Sequence, residues 1–439
     1  MINKRCAMHT QYDTELSKIC EKYSAPILRD FVWWVLIEAK RRNIRKLYFL
    51  ARDGYVMREV ALVLCEKFNL DIECRYLYTS RAALRMPTYH LIGEEAYDLL
   101  LGYSYQVTPN SMLQRALLSD TVKAKILREV GITEEQKDEL LTRIETFELS
   151  DKIRHNALYR ESVCEMSRKA YPITIEYFTQ EKLFEDSTVA IVDSGWNGSM
   201  QRSLRQLMDA EHYQGEIIGF YFGLFQEPPQ MPNSTYLHWY FGPSGRLSDK
   251  VRFSNNLFEC ICAAPHGTTL GYQYSQNGIV PVFGDTVSEK QNEFVRRQIE
   301  LITNFASEQI ADKKFKDFKL ARAERMSRQL IRQLMYRPKP EIVAAFQQMQ
   351  FCDDIYESYY SALANEAQTG QLKNYTLFAQ FKRALKKTAV KTQDLAWPYG
   401  VVALLPAPKR LWYRWNILAW EILKNSPARR IYSQLKKHK

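Results

Sequence analysis

Glycine is scarce in this chain, at 17 of 439 residues, about half the share of roughly 7% usual in soluble proteins. That gives weight to the places where glycines cluster, because tight turns and close backbone approach depend on them. No run of 18 uncharged apolar residues occurs, so no membrane-spanning helix is expected. The opening residues, MINKRCAMHTQYDTELSK, lack the apolar stretch of a signal peptide and lead to the expectation of a cytoplasmic protein. The 8 cysteines include no CxxC pair and the 7 histidines no HExxH, which argues against a disulfide scaffold or a protein-ligated zinc site. Acids are nearly missing from the end of the chain. From Lys373 onward, 15 Lys or Arg face only Asp394 and Glu421, a net +13; with +11 for the whole, residues 1–372 carry about −2. The basicity belongs to the tail.

Apolar content of 46%, with 13% aromatic residues, is ample for a sizeable core. The length suggests two or three domains. Residues 15–43 read as a helix, and KLYFLA (46–51) as a short buried strand followed by RDG and a helix. IECRYLY (72–78), STVAIVD (187–193) and GEIIGFYFGLF (215–225) read as further strands, with a helix over 199–209. This alternation predicts an α/β fold: a parallel sheet with flanking helices and right-handed crossovers, plus a helical C-terminal region. The expected organisation is an α/β domain over 1–286 with a helical insertion at about 94–185, a helical region over 287–372, and a basic amphipathic tail over 373–439.

Three of the expected strands empty into polar loops: Arg52-Asp53-Gly54, Ser80-Arg81, and Asp193-Ser194-Gly195-Trp196-Asn197-Gly198-Ser199. Taken singly, RDG is an ordinary turn and a strand–glycine–helix junction needs no ligand. Taken together they share one edge of an open sheet, where the carboxyl ends of strands bind ligands. A helix beginning at Ser199 would add free N–H groups and a positive dipole end for an anion. Asn197, Ser199, Gln201 and the backbone at Gly195 and Gly198 could wrap a phosphate, and the forks of Arg52 and Arg81 suit phosphate or diphosphate oxygens. Asp193 would then meet sugar hydroxyls or a hydrated Mg²⁺.

Two more stretches stand out. In NNLFECICAAPHGTTLGY (255–272), Glu259 lies among apolar residues where a carboxylate needs a partner, Arg52 or Arg81 being candidates, and His266 opens a polar loop. In KRLWYRWNILAWEILKN (409–425), Leu411, Trp412, Trp415, Leu418, Ala419 and Ile422 share one helical stripe ringed by Lys and Arg. A basic helix with Trp on its apolar side favours a membrane interface over packing against the body, and both over nucleic acid. The expected membrane contact runs through residues 409–439.

FLARDGY, YTSRAALRMP, VDSGWNGSMQ and NNLFEC…APHGTTLGY together resemble a bacterial family of capsule and O-antigen polysaccharide phosphoribosyltransferases, associated with haloacid-dehalogenase-like phosphatases. The similarity spans roughly residues 15–275. It implies a fold like the type I phosphoribosyltransferases and transfer of ribose 5-phosphate from phosphoribosyl diphosphate, with Mg²⁺, to a lipid-linked glycan. A separate phosphatase would then remove the 5-phosphate. By this resemblance Arg52-Asp53-Gly54 is the diphosphate loop and Asp193–Ser199 the ribose 5-phosphate loop. Ser194 stands where the usual type I pattern has a second acid, and the loop is one residue shorter. Asp53, Glu259 and His266 are then the candidate general bases, and such an enzyme would work at the inner face of the membrane. Two other readings compete. A dehalogenase-type hydrolase needs a second acid two residues after its nucleophile, where RDGY has Tyr55. A non-catalytic scaffold of polysaccharide assembly would not release diphosphate.

Overall fold

The computed structural model describes residues 14–102, 107–284, 288–311, 319–347, 349–351, 361–385 and 395–426. Five strands form one parallel sheet: β1 (Lys46–Leu50), β2 (Glu73–Leu77), β3 (Thr188–Trp196), β4 (Glu216–Leu224) and β5 (Ser234–Phe241). Their order is β2-β1-β3-β4-β5, and every neighbouring pair is parallel. Such a sheet buries both faces, and the strands do so by strict alternation. Leu47, Phe49, Ala190, Val192, Ile218 and Phe220 pack towards α1 (Ala25–Arg41), α2 (Gly54–Phe68) and, further along the chain, the helix Glu289–Ala311. Tyr48, Leu50, Ile191 and Ile217 pack on the other side, with residues of the later helices Ala157–Gln180 and Ser199–Ala210.

One feature departs from the expected strands. β3 does not stop at Asp193. It runs on to Trp196, because Asp193 and Gly195 still pair with Tyr221 and Gly223 of β4. Gly195 has φ +106°, and a Cβ there would lie 2.5 Å from the Gly223 carbonyl oxygen. The close approach that this glycine permits is to a neighbouring strand. The β4–β5 crossover, residues 225–233, contains Pro228, Pro229 and Pro232 and no helix. Extended backbone of that length reaches about 30 Å, enough to return along the sheet.

Between β2 and β3 lies a helical region that begins with α3 (Arg81–Arg85) and ends with α4 (Ala157–Gln180). Most of it encloses a core of its own, from Met86 to Val163. After β3 come α5 (Ser199–Ala210) and, beyond β5, α6 (Asn255–Ile261) and the antiparallel hairpin β6 (Thr269–Ser275) and β7 (Gly278–Phe283). The C-terminal helices include α7 (Glu289–Ala311), α8 (Leu377–Leu385) and α9 (Ala407–Asn425), with other helical segments such as Leu320–Ile331 between them. Many of their buried residues join the core on the α1/α2 face of the sheet. Trp397 is fully buried and donates from its indole nitrogen to the Met335 carbonyl at 2.9 Å. The Tyr399 hydroxyl donates to Val251 at 3.2 Å. Ile417 and Leu418 of α9 reach the same core. Among the described residues no helix is long and apolar enough to cross a membrane.

Candidate active site

The strand order places the topological switch point between β1 and β3, because the chain moves outward to β2 and then returns across β1 to build the other half. Crevices for ligands open at that point, beyond the carboxyl ends of the strands. Asp53 follows β1 and Asp193 lies near the end of β3, so both acids sit there. Asp53 keeps partial solvent contact, whereas Asp193 and Ser194 are buried. The Ser194 side chain hydrogen bonds to Asp53, joining the two loops. Asp193 accepts from the Gly195 N–H at 3.2 Å.

The electrostatics of the pair follow from that placement. Burial, and next the neighbouring Asp193 charge, push Asp53 up to about 7; Ser194, Arg52 and Arg81 pull the other way. Asp193 is also pushed up to about 7, by burial and then by Glu259, against the N–H groups of Ser194 and Gly195 and the charge of Arg81. The Asp193 charge thus favours a protonated Asp53. A carboxyl poised near neutrality is what a general base at physiological pH requires.

Glu259, on α6, accepts from the Trp196 indole nitrogen at 2.7 Å. The indole, from the far end of the glycine loop, is one partner of this carboxylate. His266 is also engaged. Its Nδ1 lies 2.8 Å from the Gly267 carbonyl, so that nitrogen carries the proton and Nε2 accepts from the Tyr76 hydroxyl at 2.7 Å. Tyr55, Tyr78 and Phe283 pack around the imidazole within 4.9–6.3 Å.

The other expected residues divide into two groups. Arg81 is exposed at the start of α3, and Asn197 is exposed at the tip of the β3 loop. Arg52 is half-buried and follows a cis peptide bond from Ala51. Ser199 begins α5, capped by Gly198 in a left-handed conformation. Ser80, by contrast, caps α3 by accepting from Ala83 and donates to Thr269 at 2.5 Å, which ties β2 to the hairpin. Gly54 presses α2 onto β1: a Cβ there would meet the Phe49 carbonyl carbon at 2.7 Å. Gln201 is fully buried and bridges Tyr221, Ile217 and Thr235 within 2.8–3.2 Å, beneath the loop instead of in the cleft. Burial, not ligand contact, explains an amide at that position.

Sequence reasoning passed over Arg85. Its guanidinium donates to Ser199 Oγ at 3.4 Å, beside the first turn of α5. The signal was present, since Arg81 and Arg85 are four apart and therefore share a helix face. Among the described residues no group of three or more His, Cys, Asp or Glu side chains is arranged to hold a metal ion. A Mg²⁺ that arrives with a diphosphate needs less, because it takes one or two carboxylates and keeps phosphate and water ligands. Asp193 and Asp53 meet that smaller requirement.

Fold and site together define an open-sheet α/β protein with paired carboxyls and arginines at its switch point. No protein-family model matches the chain, and no curated protein is significantly similar to it in sequence.

Proposed function

We propose that this protein is a phosphoribosyltransferase of the type I-like kind, moving ribose 5-phosphate from phosphoribosyl diphosphate to a glycan hydroxyl, with a lipid-linked capsule or O-antigen precursor as acceptor. The observation that carries the reading is the Asp53–Asp193 pair, pushed up to about 7 at the switch point and flanked by Arg52 and Arg81. The start of α5, with Ser199 and Arg85, suits the 5-phosphate. Arg52 and Arg81 suit the diphosphate.

In the reaction the bond from ribose C1 to the diphosphate oxygen breaks and diphosphate leaves with the electron pair. The acceptor oxygen bonds to C1, and its proton passes to a carboxylate. Asp53, the more solvent-accessible of the pair, takes that proton. Asp193, held by the loop N–H groups, positions the ribose hydroxyls and is the carboxylate for the Mg²⁺ that accompanies the donor. Bound Mg²⁺ supplies charge neutralisation for the leaving diphosphate. The arginines stabilise the same developing charge and hold the donor in line. Removal of the 5-phosphate falls to a separate phosphatase, since Tyr55 occupies the position where a dehalogenase-type hydrolase places its second acid.

The test is thermal unfolding with phosphoribosyl diphosphate and Mg²⁺. Ligand at 100 times its Kd adds about 2.7 kcal/mol. A shift no larger than that given by unrelated nucleotides at saturation would refute the assignment, as would absence of diphosphate release with every lipid-linked glycan acceptor tried.

A further inference from the structure

The stripe read from the sequence of α9 is divided by the fold. Ile417 and Leu418 are buried in the core, whereas Leu411, Trp412 and Trp415 are 59%, 54% and 66% exposed. The exposed face is then widened by a second helix. α8 lies alongside α9, with the Leu377 N–H donating to Asn416 Oδ1 at 3.0 Å and the Phe381 ring 5.7 Å from Trp420. It adds Phe378, 77% exposed, and the exposed ring of Phe381. Lys382, Lys409 and Lys424 are exposed on the same two helices, where Glu421 is the acid of α9. Arg429, Arg430, Lys436, Lys437 and Lys439, also part of the expected membrane contact over 409–439, lie outside the described residues.

We infer that α8 and α9 together form a docking surface for an anionic lipid bilayer, held rigidly by the core beneath it. Exposed large aromatics in a contiguous patch mark an interaction site. Trp is suited to the interface of a bilayer, where one end of the ring system is apolar and the other wet. The charge selects the occupant. A second copy seated on this face would bring Lys382, Lys409 and Lys424 of both chains together, with only Glu421 of α9 to offset them in each, and like charges oppose such pairing. An anionic leaflet attracts them. The platform is also tied to the candidate site: Asn256, on the helix that carries Glu259, donates to the Ala396 carbonyl at 2.9 Å, shortly before α9. Membrane docking would therefore present the cleft to acceptors carried on lipid, a consequence that rests on the proposed function. The docking itself does not.

The experiment uses the full chain in co-sedimentation with phosphatidylglycerol-containing vesicles and with neutral phosphatidylcholine vesicles across a salt series. Wild type should prefer the anionic vesicles, weaken with salt, and keep a residual binding from its aromatic residues. The variant F378S/W412S/W415S should lose about tenfold or more of its vesicle partition, with unchanged circular dichroism and melting temperature. Lys409→Glu with Lys424→Glu should lower binding at low salt and little at high salt. Equal partition of wild type and the serine variant would overturn the proposal, as would no binding by wild type. So would a wild-type oligomer that the serine variant dissolves while vesicle binding stays constant, since a second copy would then be the occupant. Donor-induced thermal stabilisation, measured in parallel, reports on the proposed enzyme function separately.

Discussion

The cleft and the C-terminal platform invert the usual partition of residues in opposite ways. At the switch point two carboxyls are drawn into the protein; on α8 and α9 tryptophan and phenylalanine are left outside. Buried acids and exposed apolar patches are the informative exceptions to the distribution of residues in folded proteins. Neither arrangement stabilises the fold. Burial of Asp53 and Asp193 raises the cost of their charge, and an exposed Trp415 forgoes the burial available to Ile417 two residues on. In both places stability is given up where a ligand or surface would recover it.

Breaking the platform from below should have the largest effect. Truncation after Pro406 removes Ile417 and Leu418 from the core, and each fully buried aliphatic side chain contributes about 1.5–3 kcal/mol. Thermal or urea unfolding should therefore show a loss of at least about 3 kcal/mol. An unchanged melting temperature would mean that α9 does not belong to the core. Next comes the cleft. Asp193→Asn should lower transfer by about 10²–10³-fold, the usual cost of losing one group that acts on developing charge. Stability at pH 8 should be equal to or above that of wild type, because the variant no longer ionises in a buried site. Loss of transfer together with loss of folding would make Asp193 a structural residue.

The pH dependence sharpens the contrast. The Asp53 and Asp193 carboxyls lie at about 7 in the fold against 3.8 in an open chain, so the folded state binds their protons more tightly. Their contribution to stability is then fully present below about pH 4 and is lost as pH rises to about 7. Difference melting curves of wild type against D53N/D193N should show this decline in wild type and its absence in the variant. The smallest effect should be that of Trp415→Ser, which should change stability by no more than about 0.5 kcal/mol, as surface substitutions usually do. A larger loss would place that ring in the core.

Four of the five strands of the sheet were readable in the chain because their evidence is local, whereas β5 (Ser234–Phe241) was not among them. KLYFL, the run before Asp193 and EIIGFYFGL are apolar runs of strand length, and each begins or ends at a turn signal. The candidate residues at the switch point were readable for the same reason, as Arg52-Asp53 and Arg81 follow strands and Asp193-Ser194 lies near the end of one. The rest depended on residues far apart in sequence. Trp196 donates to Glu259, and Tyr76 hydrogen bonds to His266. Gln201 is enclosed by two strands that follow it in the chain, so nothing near it in the sequence separates a buried bridge from a ligand contact. Gly195 answers to Gly223, a neighbour only once β3 and β4 are paired.

By itself the sequence determined where four strands of the sheet fall, that acids and arginines gather near strand ends, and that the tail is basic and amphipathic, because all three depend on near neighbours and composition. Tertiary structure alone decided the strand order, and with it the switch point between β1 and β3. It decided which carboxyls lose water, and so which titrate near neutrality. It also divided one amphipathic stripe between core and surface, since α9 can bury only the side that the body and α8 cover. Helical periodicity states that a face is apolar; what covers that face is a property of the packed chain.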